Sequence, residues 1–273
     1  MTTPQPATRQ LSQLRAPQIA TALRQRSVLV QPLGAIEQHG PHLPLHTDLL
    51  VAESVAAAAV DRVGDELDVW LLPPLAYTKS NEHAWSPGTI WLSAATLLSV
   101  LDDIGRCVAL TPARRLVFFN GHGGNSALVA VANRELRLKY DLMTFLAHPF
   151  LPPDQGLPPA DQGGVSTTGE PSINEQGFGI HAGADETSLL LHLAPALVDL
   201  TSAQRRVPEH LAANEQVRFG GAVSFGWLSN DFSDDGVIGD PTAASAARGA
   251  ELFAAAVDAF CTALAEIAAF EYR

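Results

Sequence analysis

The sequence is poor in sulfur and in positive charge. Two cysteines, Cys107 and Cys261, stand far apart in its 273 residues, each in an apolar, helix-like stretch. That usage excludes a disulfide framework and is expected of buried thiols. Seventeen Lys and Arg face 29 Asp and Glu, for a net charge of −12. With no basic cluster to neutralise phosphates, a nucleic-acid partner is excluded. The first residues lack the basic start and apolar core of a signal peptide, and no apolar run approaches a membrane span, so no membrane partner is expected. The expectation is a soluble, cytoplasmic protein. At 47% apolar and 17% charged, the chain can bury a large core and is no disordered segment. Its length suits one α/β domain over residues 1–273.

Strand-like and helix-like patterns alternate. Strands are predicted over Ser27–Gln31, Val69–Leu72, Arg115–Asn120 and Leu142–Ala147, the last ended by Pro149. Helices are predicted over Leu50–Val63, Ala94–Leu110 with Ser93 as cap, Ser126–Tyr140 and Ala243–Ala269. Such alternation favours a mainly parallel sheet covered by helices, with ligands bound beyond the carboxyl ends of the strands. Residues 150–180, rich in Pro and Gly, break the pattern and are expected to form a long active-site or oligomer loop.

What is abundant is metal-ligating chemistry in one place. Residues 37–48 hold Glu37, His39, His42, His46 and Asp48, directly after the first strand. Carboxylate and imidazole without thiolate suit Zn²⁺ or Mn²⁺. In extended backbone Glu37 and His39 point the same way and can face one ion or two adjacent ones. Asp48 could bridge two metals, or simply be an acid in the first turn of a helix. His42 and His46 read as supporting groups.

Three further segments belong on the same sheet edge or near it. In Asn120-Gly121-His122-Gly123-Gly124-Asn125 a histidine sits in a tight glycine turn after a strand, where a ligand can approach the backbone. It is not the dinucleotide fingerprint, because the sixth position is Ser126. His181 precedes a helix whose first turn holds Asp185 and Glu186; the acids either do chemistry or answer the helix dipole. His181, at the end of the long loop, is placed as a proton donor. Ser80-Asn81-Glu82-His83 could line a substrate pocket or be a polar loop. Asp231-x-Ser233-x-Asp235-Gly236 begins like a calcium loop, but Thr242 stands where the twelfth-position Glu is required.

In this order the segments resemble the creatininase family, over about residues 27–255. The shared pattern runs from Glu37 to Asp48, then Pro87-Gly88-Thr89-Ile90, Asn120 to Asn125, His181 to Ser188, and Gly236 to Pro241. The resemblance implies a three-layer α/β/α sandwich that binds two divalent ions (Zn, Mn or Fe) per subunit and assembles as a homo-oligomer, usually a hexamer. It implies Glu37, His39, Asp48 and His122 as metal ligands with Asp48 the bridge, a hydroxide held between the metals, and His181 donating a proton to the leaving nitrogen. Creatininase itself has Tyr and Glu after the turn histidine, the Glu being a ligand; here Gly123 and Gly124 stand there. Glu186 is expected to complete the second metal site and join His181 in the catalytic set. Creatininase also has a Trp-Asp pair before its catalytic histidine, against Gly177-Phe178-Gly179-Ile180 here. Both departures disfavour creatinine and bring the chain nearer relatives that deformylate a pyrimidine nucleotide intermediate or cleave the mycofactocin precursor peptide. Ser80, Glu82, His83, Gly123 and His181 are expected to contact the substrate.

The leading expectation is therefore an amidohydrolase that cleaves a non-peptide C–N bond, in a cyclic amide or a formamide, of a small molecule. The alternatives are a peptidase of a short precursor peptide and a non-catalytic metal- or ligand-binding protein on the same scaffold.

Overall fold

The computed structural model describes residues 8–150, 175 and 177–273. Four strands, β1 (Val28–Leu33), β2 (Val69–Leu71), β3 (Arg115–Asn120) and β4 (Met143–Ala147), form one parallel sheet in the order β2-β1-β3-β4. Between and after them lie α1 (Ala16–Ala22), α2 (Thr47–Leu67), α3 (Ala94–Ala109), α4 (Ser126–Tyr140), α5 (Ala184–Leu193) and α6 (Ala246–Ala269).

The strands read as continuous apolar runs because both faces of the sheet are covered. Alternate residues therefore enter different cores. Val28 and Val30 of β1 and Val117 and Phe119 of β3 pack with Val55, Leu189 and Phe260 of α2, α5 and α6. Leu29, Leu33, Leu116 and Phe118 face the other way, onto Leu97, Leu101, Val129 and Leu136 of α3 and α4. This is the expected three-layer α/β/α sandwich. A third, smaller apolar group, Phe178, Phe219 and Ile238 with Phe225, Trp227 and Phe232 beside it, lies apart from the sheet.

Element ends differ from the expectations for local reasons. β1 runs through Pro32 to Leu33, although proline is rare in a central strand. Pro32 has no N–H to lose, and its carbonyl accepts from the Leu75 amide at 2.9 Å. α2 starts at Thr47 rather than Leu50, which places Asp48 inside its first turn. α6 starts at Ala246, where the Ser245 side chain accepts from the Arg248 amide. Its neighbour α5 comes so close that a Cβ on Gly249 would overlap the Ser188 carbonyl. Glycine there fixes how α5 sits, and α5 carries Glu186.

By length and composition, α6 is apolar enough to cross a membrane. Its abundant alanines raise the average without forming an uninterrupted run of large apolar residues. Within the fold Leu252, Ala256, Val257, Phe260, Leu264 and Ile267 are buried against the sheet side, and Glu251, Asp258 and Glu266 occupy the opposite face. That is the pattern of a core helix. Of the expected 150–180 loop, only Phe150, Glu175 and residues 177–180 fall within the described residues.

Candidate metal centre

β1 and β3 end side by side, with Leu33 opposite Asn120, so the segments that follow both strands emerge at one edge. From the first come Glu37 and His39, and from the start of α2 comes Asp48. From the second comes His122. All four residues are 5% exposed or less. The alternation argument holds: Glu37, His39 and Asp48 present donor atoms within 4.8 Å of one another.

Asp48 is the hub. Its Oδ1 lies 3.1 Å from His39 Nε2 and its Oδ2 lies 3.0 Å from His122 Nδ1. Glu37 Oε2 is 3.3 Å from the same His122 nitrogen, and Glu37 Oε1 is 3.9 Å from His39 Nε2. Both carboxylates thus touch both imidazoles. Asp48 Oδ2 is buried and has no hydrogen bond of acceptable geometry, a costly state for a carboxylate oxygen unless a cation answers it. The field says the same. Burial opposes charge on His39, yet Asp48 and its neighbours more than offset this and lift the imidazole to about 10. Burial likewise works against charge on His122, and Glu37 and Asp48 raise it well above the ordinary histidine range. Positive charge is demanded between these groups, and the donors are the nitrogen and oxygen atoms that divalent zinc or manganese prefers. The residues fit a metal.

A second arc closes the site from the other side. Glu186 lies in the first turn of α5, and its Oε2 accepts the Ala182 amide at 2.6 Å. Ala182 is buried with φ +53°, a left-handed conformation that costs a non-glycine residue about 1–2 kcal/mol. That kink turns His181 back toward the cluster. His181 also forms a backbone pair with Ile238, its amide on the Ile238 carbonyl at 3.1 Å and the reverse bond at 2.8 Å. The Gly236–Pro241 stretch therefore earns its place by holding His181. His39, His181 and Glu186 form one ligand-capable group, and Glu37, His83 and His181 another. Burial holds the Glu186 carboxyl up at about 7, against the pull of His39. Burial and the nearby His39 push His181 well below the usual range, so its ring is neutral. Its Nε2 lies 2.7 Å from the Gln38 carbonyl, which can only accept. That carbonyl can accept a hydrogen bond from Nε2, while Nδ1 lies 3.7 Å from Glu37 Oε1.

These groups open on a cavity of about 590 Å³. Glu82, His83, Gly123 and His181 line it, as the sequence predicts for substrate contacts; Ser80 does not. Ser80 is instead buried and donates its hydroxyl to Glu37 Oε2. The sequence reading missed Gln38, whose side-chain nitrogen reaches His83 Nδ1 at 3.0 Å, His181 Nε2 at 3.2 Å and Ser229 Oγ at 3.3 Å. Its signal was its position: between Glu37 and His39, an extended residue points to the opposite side. Also missed were Lys79, Arg218, Phe225 and Trp227, which line the cavity as well. No local pattern marks them. The calcium-like stretch is structural, with Asp235 Oδ2 bonded to Arg206 Nε at 3.2 Å.

Comparison with known proteins agrees with this geometry. The family model described as creatininase, creatinine amidohydrolase, matches residues 12–264. The chain is 39% identical over 241 residues to the mycofactocin precursor peptide peptidase of Mycobacterium ulcerans, covering 85% of this chain and 82% of that one. It is 33% identical over 204 residues to the creatinine amidohydrolase of Pseudomonas putida, covering 67% and 69%. Among solved structures, a creatininase mutant complexed with creatine superposes with a TM-score of 0.71 at 27% identity, covering 95% of this chain and 98% of the other. A manganese creatininase gives 0.70 at 27% identity, covering 94% and 97%. With the match running through nearly the whole chain and the fold shared, the chain belongs to the creatininase family.

Proposed function

We propose that this chain is a dinuclear metal-dependent hydrolase that cleaves an amide C–N bond, and that the amide belongs to a short peptide. The observation that carries the chemistry is Asp48, which offers one oxygen beside His39 and the other beside His122 at the floor of an open cavity. Glu37, Asp48 and His122 would hold one ion, and His39, Asp48 and Glu186 the other. Zinc, manganese and iron all suit this donor set. Bound divalent ions supply a water acidified toward neutral pH and a charge that polarises the amide carbonyl.

The protein's own groups do the rest. In the tautomer with its proton on Nε2, directed at the Gln38 carbonyl, His181 can accept a proton at Nδ1 from the attacking water and pass it to the leaving nitrogen. It is thus a base before it is an acid, which sharpens the donor role expected from sequence. Phe225 and Trp227 give the cavity wall apolar surface, and Arg218 adds a cationic group to it.

A peptide suits this site better than a creatinine-sized ring. The cavity volume far exceeds a single small ring, and the relatives at 39% identity are peptidases of a short precursor. The reading retained second is a non-peptide amide, cyclic or formamide, favoured by the 33% identity to a creatinine amidohydrolase. A homo-oligomer, hexameric by family resemblance, is part of the proposal. Exposed Tyr77, Ile90 and Trp91, on segments joined by the bond from the Leu92 amide to the Thr78 carbonyl, give it an apolar surface to bury.

The test is a substrate screen of the zinc- or manganese-loaded protein across short peptides, formamides, cyclic amides and creatinine. We expect peptide hydrolysis with kcat/KM at least about 10²-fold above that for creatinine, lost on chelation and restored by metal. Preference for a formamide or cyclic amide establishes the second reading. Metal uptake with no turnover of any amide points to a binding protein on this scaffold.

A further inference from the structure

The cavity wall holds one carboxylate that the metal-binding set does not use. Glu82 is 9% exposed and lies on the far side of the His122 ring from Asp48 and Glu37. Its Oε1 is 3.3 Å from His122 Nε2, and the Lys79 carbonyl is 2.9 Å from the same nitrogen. Its Oε2 takes the Lys79 ammonium at 2.7 Å. The other ring nitrogen, Nδ1, is the one that faces Asp48 and Glu37. Glycine at position 124 leaves room for Glu82 in this position: a Cβ there would overlap Glu82 Oε1 and displace the carboxylate. Glu82, not Glu186, is the carboxylate that stands against Gly124.

We infer that Glu82 is the positioning residue of the metal centre: with the Lys79 carbonyl it receives the His122 Nε2–H, fixing the ring so that the Nδ1 lone pair faces the ion, and Gly124 is bare to admit it. The physical need is general. A neutral imidazole has one donor and one acceptor nitrogen, and a ligand histidine must present the acceptor. An acceptor on its far nitrogen selects that tautomer, and a carboxylate also makes the ring a stronger base toward the metal. Both acceptors on Nε2 are present here, and neither can donate. Lys79 is anchored to the same carboxylate, so the Lys79–Glu82–His122 chain runs from the cavity wall to the floor. Glu82 is thereby separated from the ligand role: the ring lies between its oxygen and the carboxylates on the Nδ1 side.

The inference rests on the two-metal reading, and metal affinity tests it apart from turnover. Zn²⁺ affinity and stoichiometry are measured by competition with a chromophoric chelator for the full-length protein and for Glu82→Gln, Glu82→Asp and Lys79→Met. Melting of the metal-free forms confirms that each variant folds. Glu82→Gln should keep the wild-type number of ions but bind His122's ion about 10–100-fold more weakly. Glu82→Asp should recover part of that loss, and Lys79→Met should cause a smaller shift in the same direction. Wild-type affinity in Glu82→Gln overturns the inference. So does the loss of one ion per chain from that variant, which would make Glu82 a ligand. Failure of the wild-type protein to take up zinc is read on a separate sample and overturns the metal reading itself.

Discussion

Asp48→Asn is expected to bring bound divalent metal below one ion per chain and to lower turnover by on the order of 10⁴-fold or more. Asp48 holds its two oxygens beside two different imidazoles, at 3.1 Å and 3.0 Å. Asparagine keeps the shape but has one oxygen, and its NH₂ group faces whichever histidine the oxygen leaves. A bridging position becomes a terminal one on one side and a donor clash on the other. Asp48 raises the buried Glu37 carboxyl, whereas His39 and His122 hold Asp48 itself well below the usual carboxylate range, so Asp48→Asn also removes ion pairing from the metal-free protein and should lower its melting temperature. The check is elemental analysis alongside turnover, with circular dichroism and melting temperature of the metal-free forms. Wild-type metal content in Asp48→Asn would remove the bridge from the account.

The second large effect separates proton transfer from ligation. His181→Ala should retain both ions while turnover falls about 10²–10⁴-fold, the usual scale of a general acid–base group. The geometry makes this a demanding prediction, because His181 belongs to two ligand-capable groups, with Glu37 and His83 and with His39 and Glu186. Its ring centroids lie 4.3 Å from that of His39 and 4.1 Å from that of His83. What argues for the proton role is that Glu37, Asp48, His122, His39 and Glu186 already supply both proposed ligand sets, which leaves the cavity-lining His181 to act on the substrate. Metal content and single-turnover rate on the same preparation decide the matter. Loss of an ion from His181→Ala would move it from proton carrier to ligand.

The architecture was legible because strand and helix periodicities were strong and both faces of the sheet are apolar. The ends of β1 and α2 were not, since Pro32 costs nothing where its carbonyl is the group that bonds, and His46 gives no side-chain cap bond to mark a start. At the site, Glu37, His39, Asp48 and His122 were readable because chemistry-bearing residues cluster after strands that share an edge. Placing Glu186 among them took a family resemblance and remains part of the proposal. Ser80 and Gln38 were hidden for a different reason. Their work is to hold other side chains, and such partners are set by tertiary approach, with 43 residues separating Ser80 from Glu37 and 143 separating Gln38 from His181. The role of Gly124 was half visible: the resemblance to creatininase implies a missing carboxylate, but only the fold shows Glu82 standing in that space.

The account stands most directly on one measurement, the divalent metal content of the purified protein after loading with zinc or manganese and removal of free ion. It predicts about two ions per chain, falling together when His122 is replaced by alanine, since Asp48 couples the two positions. Fewer than about one ion per chain in the wild-type protein, or content unchanged by His122→Ala, would contradict it.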